Sequence, residues 1–300
     1  MIEVIDTHVH FWNLEKLRYP WLESDAWRHL SEPFEPADLA AMDSNVVATV
    51  HVQAEMDHDR DPVEETRWLD SLRRGTAPRA IPTVVVGYAD LTGDDFSRVL
   101  DRHQEFDYFR GIRQEAWFDA NAPGSDLEHG VDLLQHPRWV PNLQELGKRE
   151  LTFDLLVYAH QLDVAAEKFE QAPGLKVVLN HLGHPSSAFS RNRWLSDLRA
   201  FSERVPDSYV KLSGLSFVSS DLNDPLIRSA VREAVEVFGP KRCMVASNYP
   251  VDRQIGSYPE IWDAFDTILA DLSEADRRAV FVDTAAEFYR IDLAGKGSRP

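Results

Sequence analysis

The sequence predicts an α/β protein built as a single (β/α)8 TIM barrel over residues 1–300. Short apolar segments of strand character alternate with segments of helical length and pattern, and eight such pairs fit within 300 residues. Polar and apolar residues alternate near the ends of several strands, as expected where strand ends form a catalytic rim. The alternative is a doubly wound sheet, but no Gly-x-Gly-x-x-Gly or phosphate loop follows a strand.

Composition limits the classes of partner. Lys and Arg total 32 against 50 Asp and Glu, a net charge of −18, which disfavours nucleic acid and anionic membranes. The single cysteine, Cys243, is typical of a reducing compartment. The first residues do not show the basic-then-apolar pattern of a signal peptide, so none is expected, and no apolar run is long enough to span a bilayer. We therefore expect a cytoplasmic protein with a small-molecule substrate, no nucleic-acid or membrane partner, and homo-oligomerisation left open.

The first strand ends in a His-x-His pair. Because side chains alternate along a strand, Asp6, His8 and His10 are expected on one side. Two imidazoles two residues apart at a strand end can converge on one metal ion or one anionic group. Residues 13–36 are rich in aromatic residues and proline without a clear period, and they predict a long loop that could cover a pocket.

The alternation then continues to the end of the chain. Pro36 stands at a suitable first-turn position of a helix, and each later helical segment leads into an apolar segment. The predicted strands are 4–10, 46–55, 81–88, 111–114, 151–158, 176–182, 209–214 and 243–248. The predicted helices are 36–44, 62–74, 93–104, stretches up to about 149, 161–171, 191–204, 225–237, 258–270 and 273–288.

One face of each strand should fill the barrel, and strand five shows the division. Phe153, Leu155 and Val157 suit the helix layer, so Asp154, Leu156, Tyr158 and His160 are expected inside. The other residues expected inside are His51, Gln53, Glu55, Arg113, Glu115, His181, Lys211, Ser213, Met244, Ala246 and Asn248. For His51, Asp154 and Lys211, which lie further from the strand ends, a hydrogen-bonded core network is the alternative to a functional role.

Several motifs, in chain order, bring a family resemblance. They are Ile-Asp-Thr-His-Val-His-Phe-Trp at 5–12, Gly-Ile-Arg at 111–113, Asn-His-Leu-Gly-His-Pro at 180–185, Val-Lys-Leu-Ser-Gly-Leu at 210–215, Ala-Ser-Asn-Tyr-Pro-Val at 246–251, and Asp-Thr-Ala-Ala-Glu-Phe-Tyr at 283–289. Together they resemble the amidohydrolase superfamily, and within it the amidohydrolase 2 family. That family includes fuconolactonase-like sugar lactonases, pyrone-dicarboxylate lactonases and metal-dependent decarboxylases.

The resemblance implies a TIM-barrel hydrolase acting on a small cyclic ester, with a sugar-acid lactone as the first expectation. It implies His8, His10 and His181 as the candidate ligands of a divalent metal, zinc, which could be present or absent. One position departs from the family: Asn248 stands where Ser-Asp-x-Pro commonly supplies an aspartate. An amide cannot act as a general base and supplies no anionic ligand. With three histidines and no aspartate, zinc should bind more weakly than in a full metallohydrolase site.

The remaining candidates follow from this departure. We expect His181 and Asn248 to act on the substrate. The candidate bases are Glu55, which is the first choice, Glu115, and Asp252 in the loop after strand eight. Arg113 is expected to orient an oxygen-rich or anionic substrate through two hydrogen bonds. The other candidate substrate-binding residues are Gln53, Gln114, Glu115, Tyr158 and His160. A decarboxylase or amide hydrolase of the same fold, and a barrel that only binds a small ligand, are the alternative functions.

Overall fold

The computed structural model of the protein describes residues 2–42, 44–73, 75, 80–119, 131–185 and 190–293. In the described residues eight strands form one parallel sheet in chain order. The strands are Val4–Val9 (β1), Val46–Val52 (β2), Val84–Gly87 (β3), Phe109–Glu115 (β4), Thr152–Leu156 (β5), Val177–Leu179 (β6), Ser208–Leu212 (β7) and Cys243–Val245 (β8).

The sheet curls until β1 approaches the chain after β8. Asn248 N donates to His8 O (2.8 Å), and His10 N donates to Tyr249 O (2.8 Å). These bonds bring the first and last strand ends together, and helices cover the outside, so the predicted (β/α)8 barrel is confirmed.

The helices follow the strands as the sequence predicted. Their bounds are Pro20–Glu23 (α1), Pro36–Ala40 (α2), Glu64–Arg73 (α3), Phe96–His103 (α4), Trp139–Lys148 (α5), Leu162–Phe169 (α6), Arg191–Arg204 (α7), Pro225–Phe238 (α8), Tyr258–Ile268 (α9), Glu274–Arg278 (α10) and Thr284–Phe288 (α11). A π-helical turn, Ala279–Asp283, joins the last two into the helix predicted at 273–288. The predicted helical stretches at 120–130 lie outside the described residues.

Capping fixes where the long helices begin. Ser190 Oγ accepts from Arg193 N at the start of α7 (3.3 Å), and Asp224 Oδ1 accepts from Leu226 N at the start of α8 (2.8 Å). Each side chain satisfies a backbone N–H that has no partner within its helix. No helix among the described residues is both long and apolar enough to cross a bilayer.

Several strands end earlier than predicted because their terminal residues leave the extended conformation. Glu55 (φ 55°), His181 (φ 52°) and Asn248 (φ 53°) all adopt left-handed backbone. A side chain with a Cβ adopts this conformation at a cost, and such residues gather at functional sites. The three positions follow β2, β6 and β8, so this strain lies along one rim of the barrel.

Two residues face the helix layer against expectation: Asp6, predicted to share a side of strand one with His8 and His10, and His51, predicted to face the barrel interior. Asp6 accepts from Tyr258 Oη of α9 (3.0 Å), because the pairing of β1 with β2 shifts register after Asp6 and breaks the alternation. His51 Nε2 lies 3.2 Å from Glu65 Oε2 of α3. His51 is therefore part of a hydrogen-bonded core network, the alternative that the sequence left open.

Candidate active site

The structure brings His8, His10 and His181 together at the rim. His8 Nε2 lies 3.1 Å from His10 Nε2, and the ring centroids of His8 and His181 are 4.7 Å apart. Gly214 makes room for the third ring: it adopts φ 62°, and a Cβ there would lie 2.6 Å from His181 Cγ. The sequence predicted this convergence from strands one and six.

Hydrogen bonds order the first two imidazoles. His10 Nδ1 donates to Val52 O (2.7 Å), which leaves His10 Nε2 as an acceptor. Lys211 Nζ lies 3.4 Å from His8 Nδ1, and an ammonium there makes Nδ1 the acceptor and puts the ring proton on Nε2. The partners thus assign a chain of donation from Lys211 to His8, from His8 to His10, and on to Val52 O.

His181 has a different setting. Its backbone N–H donates to Ser213 Oγ (3.3 Å), and its Nδ1 lies 3.0 Å from the same oxygen. The Ser213 hydroxyl can then donate to Nδ1, which leaves His181 Nε2–H as a donor. Burial lowers the pKa of His8, His10 and His181 well below the usual value, and the charges of Arg113 and Lys211 lower it further. The rings are therefore neutral near pH 7.

Arg113, in the same pocket, contacts two carboxyl groups through different nitrogens. Arg113 Nη2 lies 3.7 Å from Glu55 Oε1, and Arg113 Nη1 lies 3.3 Å from Glu115 Oε1. Gln53 Nε2 donates to Glu55 Oε1, and His58 Nε2 lies 3.1 Å from Glu55 Oε2. Arg113 Nη2 also donates to Gln53 O (2.6 Å), so protein groups already hold most of the guanidinium.

The two carboxyl groups differ in protonation. Burial raises the pKa of Glu55, but the hydrogen bond and charge of His58 and the charge of Arg113 outweigh burial and lower it to about 2. Burial and the Glu55 charge raise the pKa of Glu115 to about 8, against the opposing charges of Arg113 and His58. At neutral pH Glu55 is ionised and Glu115 holds a proton.

Asn248 completes the rim between β8 and β1. Its Nδ2 donates to Asp252 Oδ1 (3.0 Å) and its backbone is bonded to His8. Asp252 is fully buried and also accepts from Leu215 N (2.9 Å) and Ser216 Oγ (2.7 Å). Asp252 therefore lies behind Asn248 and holds its amide in place. Asparagine tolerates the left-handed backbone of this position better than most residues.

One pocket, with about 470 Å³ of empty space, joins these groups. Its polar wall consists of His10, Glu55, Arg113, Glu115, His181 and Asn248. Its apolar wall consists of Trp21, Trp27, Ala54, Trp117, Leu156, Phe217 and Val251. An apolar cavity with a few convergent polar groups is typical of small-molecule sites. The loop predicted to cover the pocket supplies Trp21 and Trp27.

Several predicted substrate-binding residues lie outside the described wall of this pocket. Gln53 supports Glu55 from behind. Gln114 Oε1 accepts from Leu91 N (2.8 Å) and its Nε2 donates to Asp90, because Gln114 points to the opposite side of β4 from Arg113 and Glu115. Gln114 therefore points away from the pocket, and the structure does not support its predicted contact with substrate.

Tyr158 and His160 also lie behind the wall. The Tyr158 ring meets Trp117 edge-on at 4.9 Å, and His160 Nε2 lies 3.0 Å from Phe118 O. The strand ends at Leu156, so the alternation that predicted these two residues inside does not extend to them. Asp252 likewise reaches the pocket only through Asn248.

The pocket also contains residues that the sequence reasoning missed. Trp117 and Phe217 line it, and His58 bridges Glu55 to solvent with 31% of its side chain exposed. Trp117 follows Glu115 by two residues, so continuing the alternation of strand four by one step would have found it. No comparable signal marked Phe217 or His58.

The positions and protonation of the three histidines determine whether a zinc ion fits between them. Two nitrogens that share one zinc lie about 3–3.5 Å apart, which the His8–His10 spacing matches. However, the Lys211 ammonium puts a proton on His8 Nε2, and no carboxylate joins the set. Among the described residues, no group of three or more His, Cys, Asp or Glu side chains is arranged to hold a metal ion. The donor set does not fit a closed zinc site.

Comparison with known proteins identifies the family. The model of the Amidohydrolase family, of the amidohydrolase 2 type, matches residues 5–291. The chain belongs to this family. The membership covers nearly the whole barrel and confirms the resemblance and the hydrolase class that the motifs predicted.

Two relatives and one solved structure illustrate the membership. The chain is 33% identical to the uncharacterized protein y4mH of Sinorhizobium fredii, over 97% of this chain and 99% of that one. It is 29% identical to an L-fucono-1,5-lactonase of Burkholderia ambifaria, over 96% of each. A crystal structure of an amidohydrolase from Burkholderia multivorans with bound zinc has the same fold, with a TM-score of 0.80, 24% identity, and coverage of 97% of this chain and 100% of that one.

Proposed function

We propose that this amidohydrolase hydrolyses a small, uncharged lactone, with sugar-acid lactones as the substrate class. One observation carries the proposal: a single pocket is lined by the charge-balanced set Glu55, Arg113 and Glu115, by neutral imidazoles and by aromatic side chains. The similarity to an L-fucono-1,5-lactonase supports the same class. A ring with an ester carbonyl and apolar C–H faces suits such walls.

Each group of the pocket has a role in this reaction. The Glu55 carboxylate accepts a proton from the attacking water. The oxygen of the lactone carbonyl becomes negative as the water attacks, and His181 Nε2–H and Arg113 Nε are the donors proposed to stabilise it. Arg113 Nε has no hydrogen-bond partner among the described residues, although the rest of its guanidinium is held. Asn248, fixed by Asp252, positions a carbonyl or hydroxyl oxygen.

Charge favours a neutral lactone over a carboxylate substrate. Arg113 is the one lysine or arginine on the described wall, and Glu55 already balances its charge. A decarboxylation substrate or a dicarboxylate would add negative charge beside Glu55 without a cation to meet it.

The test is a panel of five- and six-membered sugar lactones, assayed for acid release with a pH indicator. Matched open-chain methyl esters, amides and hydroxybenzoic acids test the other reactions of the fold. We expect turnover of lactones above that of the esters, amides and acids. Binding of a lactone without turnover would favour the barrel that only binds a ligand, and release of carbon dioxide would favour the decarboxylase.

A further inference from the structure

We propose that Glu115 donates the proton to the ring oxygen that leaves the carbonyl carbon, so that Glu55 and Glu115 act as a base and acid pair on either side of Arg113. The inference rests on the proposed lactone hydrolysis and assigns a second carboxyl group to that site. It makes Glu115 the acid, where the sequence predicted a substrate-binding residue and one of three candidate bases.

The contacts of the two carboxyl groups differ. Glu55 receives hydrogen bonds on both oxygens, from Gln53 and His58, and contacts Arg113, which is the setting of an anion. Glu115 contacts Arg113 through Oε1 alone, and its Oε2 has no partner among the described residues. Its side chain is 7% exposed and lines the pocket. A buried carboxyl oxygen without a donor is costly as an anion and suits a carboxylic acid that donates to a ligand.

The charges around Glu115 point the same way. The groups that act on it are Arg113 on its own strand and Glu55 and His58 after β2, while its partner on β5 is the uncharged Leu156. Two carboxyl groups that share one cation do not both ionise readily. Burial and the Glu55 charge raise the pKa of Glu115 to about 8, so its acid form persists through neutral pH.

The reaction balances with these two groups. Water adds its hydroxide to the carbonyl carbon while its proton passes to Glu55. The bond between that carbon and the ring oxygen then breaks, and the ring oxygen takes the proton of Glu115, which leaves a hydroxy acid. Glu55 is now protonated and Glu115 ionised, and one proton transferred through solvent by way of His58, which contacts Glu55, restores the pair.

The experiment varies the leaving group. An aliphatic lactone expels an alkoxide that is about as basic as hydroxide. Dihydrocoumarin expels a phenolate, whose conjugate acid has a pKa of about 10 as in tyrosine and which needs no acid catalyst. We expect Glu115→Gln to lower kcat about 10²- to 10⁴-fold on δ-valerolactone or a sugar lactone and less than about tenfold on dihydrocoumarin. Glu55→Gln should lose both activities alike.

The pH profile gives a second readout, which needs no variant. With the aliphatic lactone, kcat of the wild-type protein should fall as pH rises through about 8, since the acid form of Glu115 is then lost. With dihydrocoumarin this alkaline limb should be absent. Equal losses of Glu115→Gln on both lactones, or the same alkaline limb with both, would overturn the role of Glu115 and leave lactone hydrolysis standing. A wild-type protein that turns over neither lactone would instead overturn the proposed function.

Discussion

Two buried polar layers of the barrel contain the same kinds of residue but differ in how completely their polar atoms are hydrogen-bonded. In the lower layer, Asp154 accepts from Lys211 Nζ (2.5 Å), Tyr289 Oη (2.9 Å) and Asn180 Nδ2 (3.2 Å), and Lys211 also donates to Thr7 O (2.6 Å). Lys211 and Asp154 are both fully buried and fully bonded. This is the hydrogen-bonded core network that the sequence left as an alternative for the two residues.

The upper layer, at the pocket wall, leaves polar atoms without partners. Arg113 Nε, Glu115 Oε2 and Trp117 Nε1 make no hydrogen bond among the described residues, and Glu55, His181 and Asn248 have strained backbones nearby. Buried polar groups are almost always satisfied, so a cluster that is not satisfied indicates a place for a ligand. Asn180 Oδ1 in the lower layer also lacks a partner, so the contrast is between the satisfied Lys211–Asp154 ion pair and the unsatisfied charged groups of the pocket wall. At these charged groups the completeness of partners, rather than polarity or depth, separates the supporting layer from the binding layer.

The largest effect is expected on the free energy of unfolding, when a substitution breaks the lower layer. Lys211→Met should lower the free energy of unfolding by about 3–5 kcal/mol, because it leaves the Asp154 carboxylate buried without its cation. Urea unfolding followed by circular dichroism measures it. Arg232→Met, which removes an exposed pair with Asp271, is the matched control and should change stability little. A Lys211→Met protein as stable as Arg232→Met would contradict the supporting role of this layer.

The next largest effect is expected on kcat, when a substitution alters the upper layer without unfolding the protein. Glu55→Gln should lower kcat about 10²- to 10⁴-fold, because it removes the proposed base, while the unfolding midpoint changes little. Because the pKa of Glu55 is lowered and only the ionised carboxylate accepts a proton, the wild-type rate should hold as pH falls through the range in which an ordinary glutamate becomes protonated. Glu105→Gln, an exposed carboxylate on the loop after α4, is the control and should retain full activity.

A smaller effect is expected where a residue positions the substrate but does not titrate. Asn248→Ala should raise the activation barrier by about 1–3 kcal/mol, the cost of one lost buried polar partner, and keep the pH profile of the wild type. Asp252→Asn should act through the same amide and be milder. If Asp252→Asn removed the acidic limb of the rate profile, Asp252 would be the base in place of Glu55.

The smallest effect on lactone turnover is expected from the removal of metal. Because Lys211 directs a proton onto His8 Nε2, we expect zinc to be held weakly and lost to a chelator. Metal analysis before and after chelation, paired with lactone turnover, measures both occupancy and activity. Zinc that stays at one equivalent per chain through chelation would show that the histidines rearrange into a full site.

The sequence predicted the barrel and most of the pocket wall. The alternation of strands and helices and the order of the motifs predicted the fold. The alternation of side chains along a strand placed Arg113 and Glu115 on one side of β4. The rule that alternate residues share one face of a strand gave the wrong side for Asp6, where a register shift breaks the alternation. It also gave the wrong side for Tyr158 and His160, which lie beyond the end of β5. A local pattern holds only while the regular structure that produces it continues.

By itself the sequence determined which residue types reach the rim, because a period of two residues fixes the faces of a strand. It also showed that Asn248 stands in place of an aspartate, and it predicted Glu55 as the base instead. Only the tertiary structure decided how those groups are used. Hydrogen bonds from His58 and Gln53 make Glu55 the anion, while burial without such donors leaves Glu115 the acid. Protonation depends on distances between side chains from different strands, and such distances exist only once the barrel has closed.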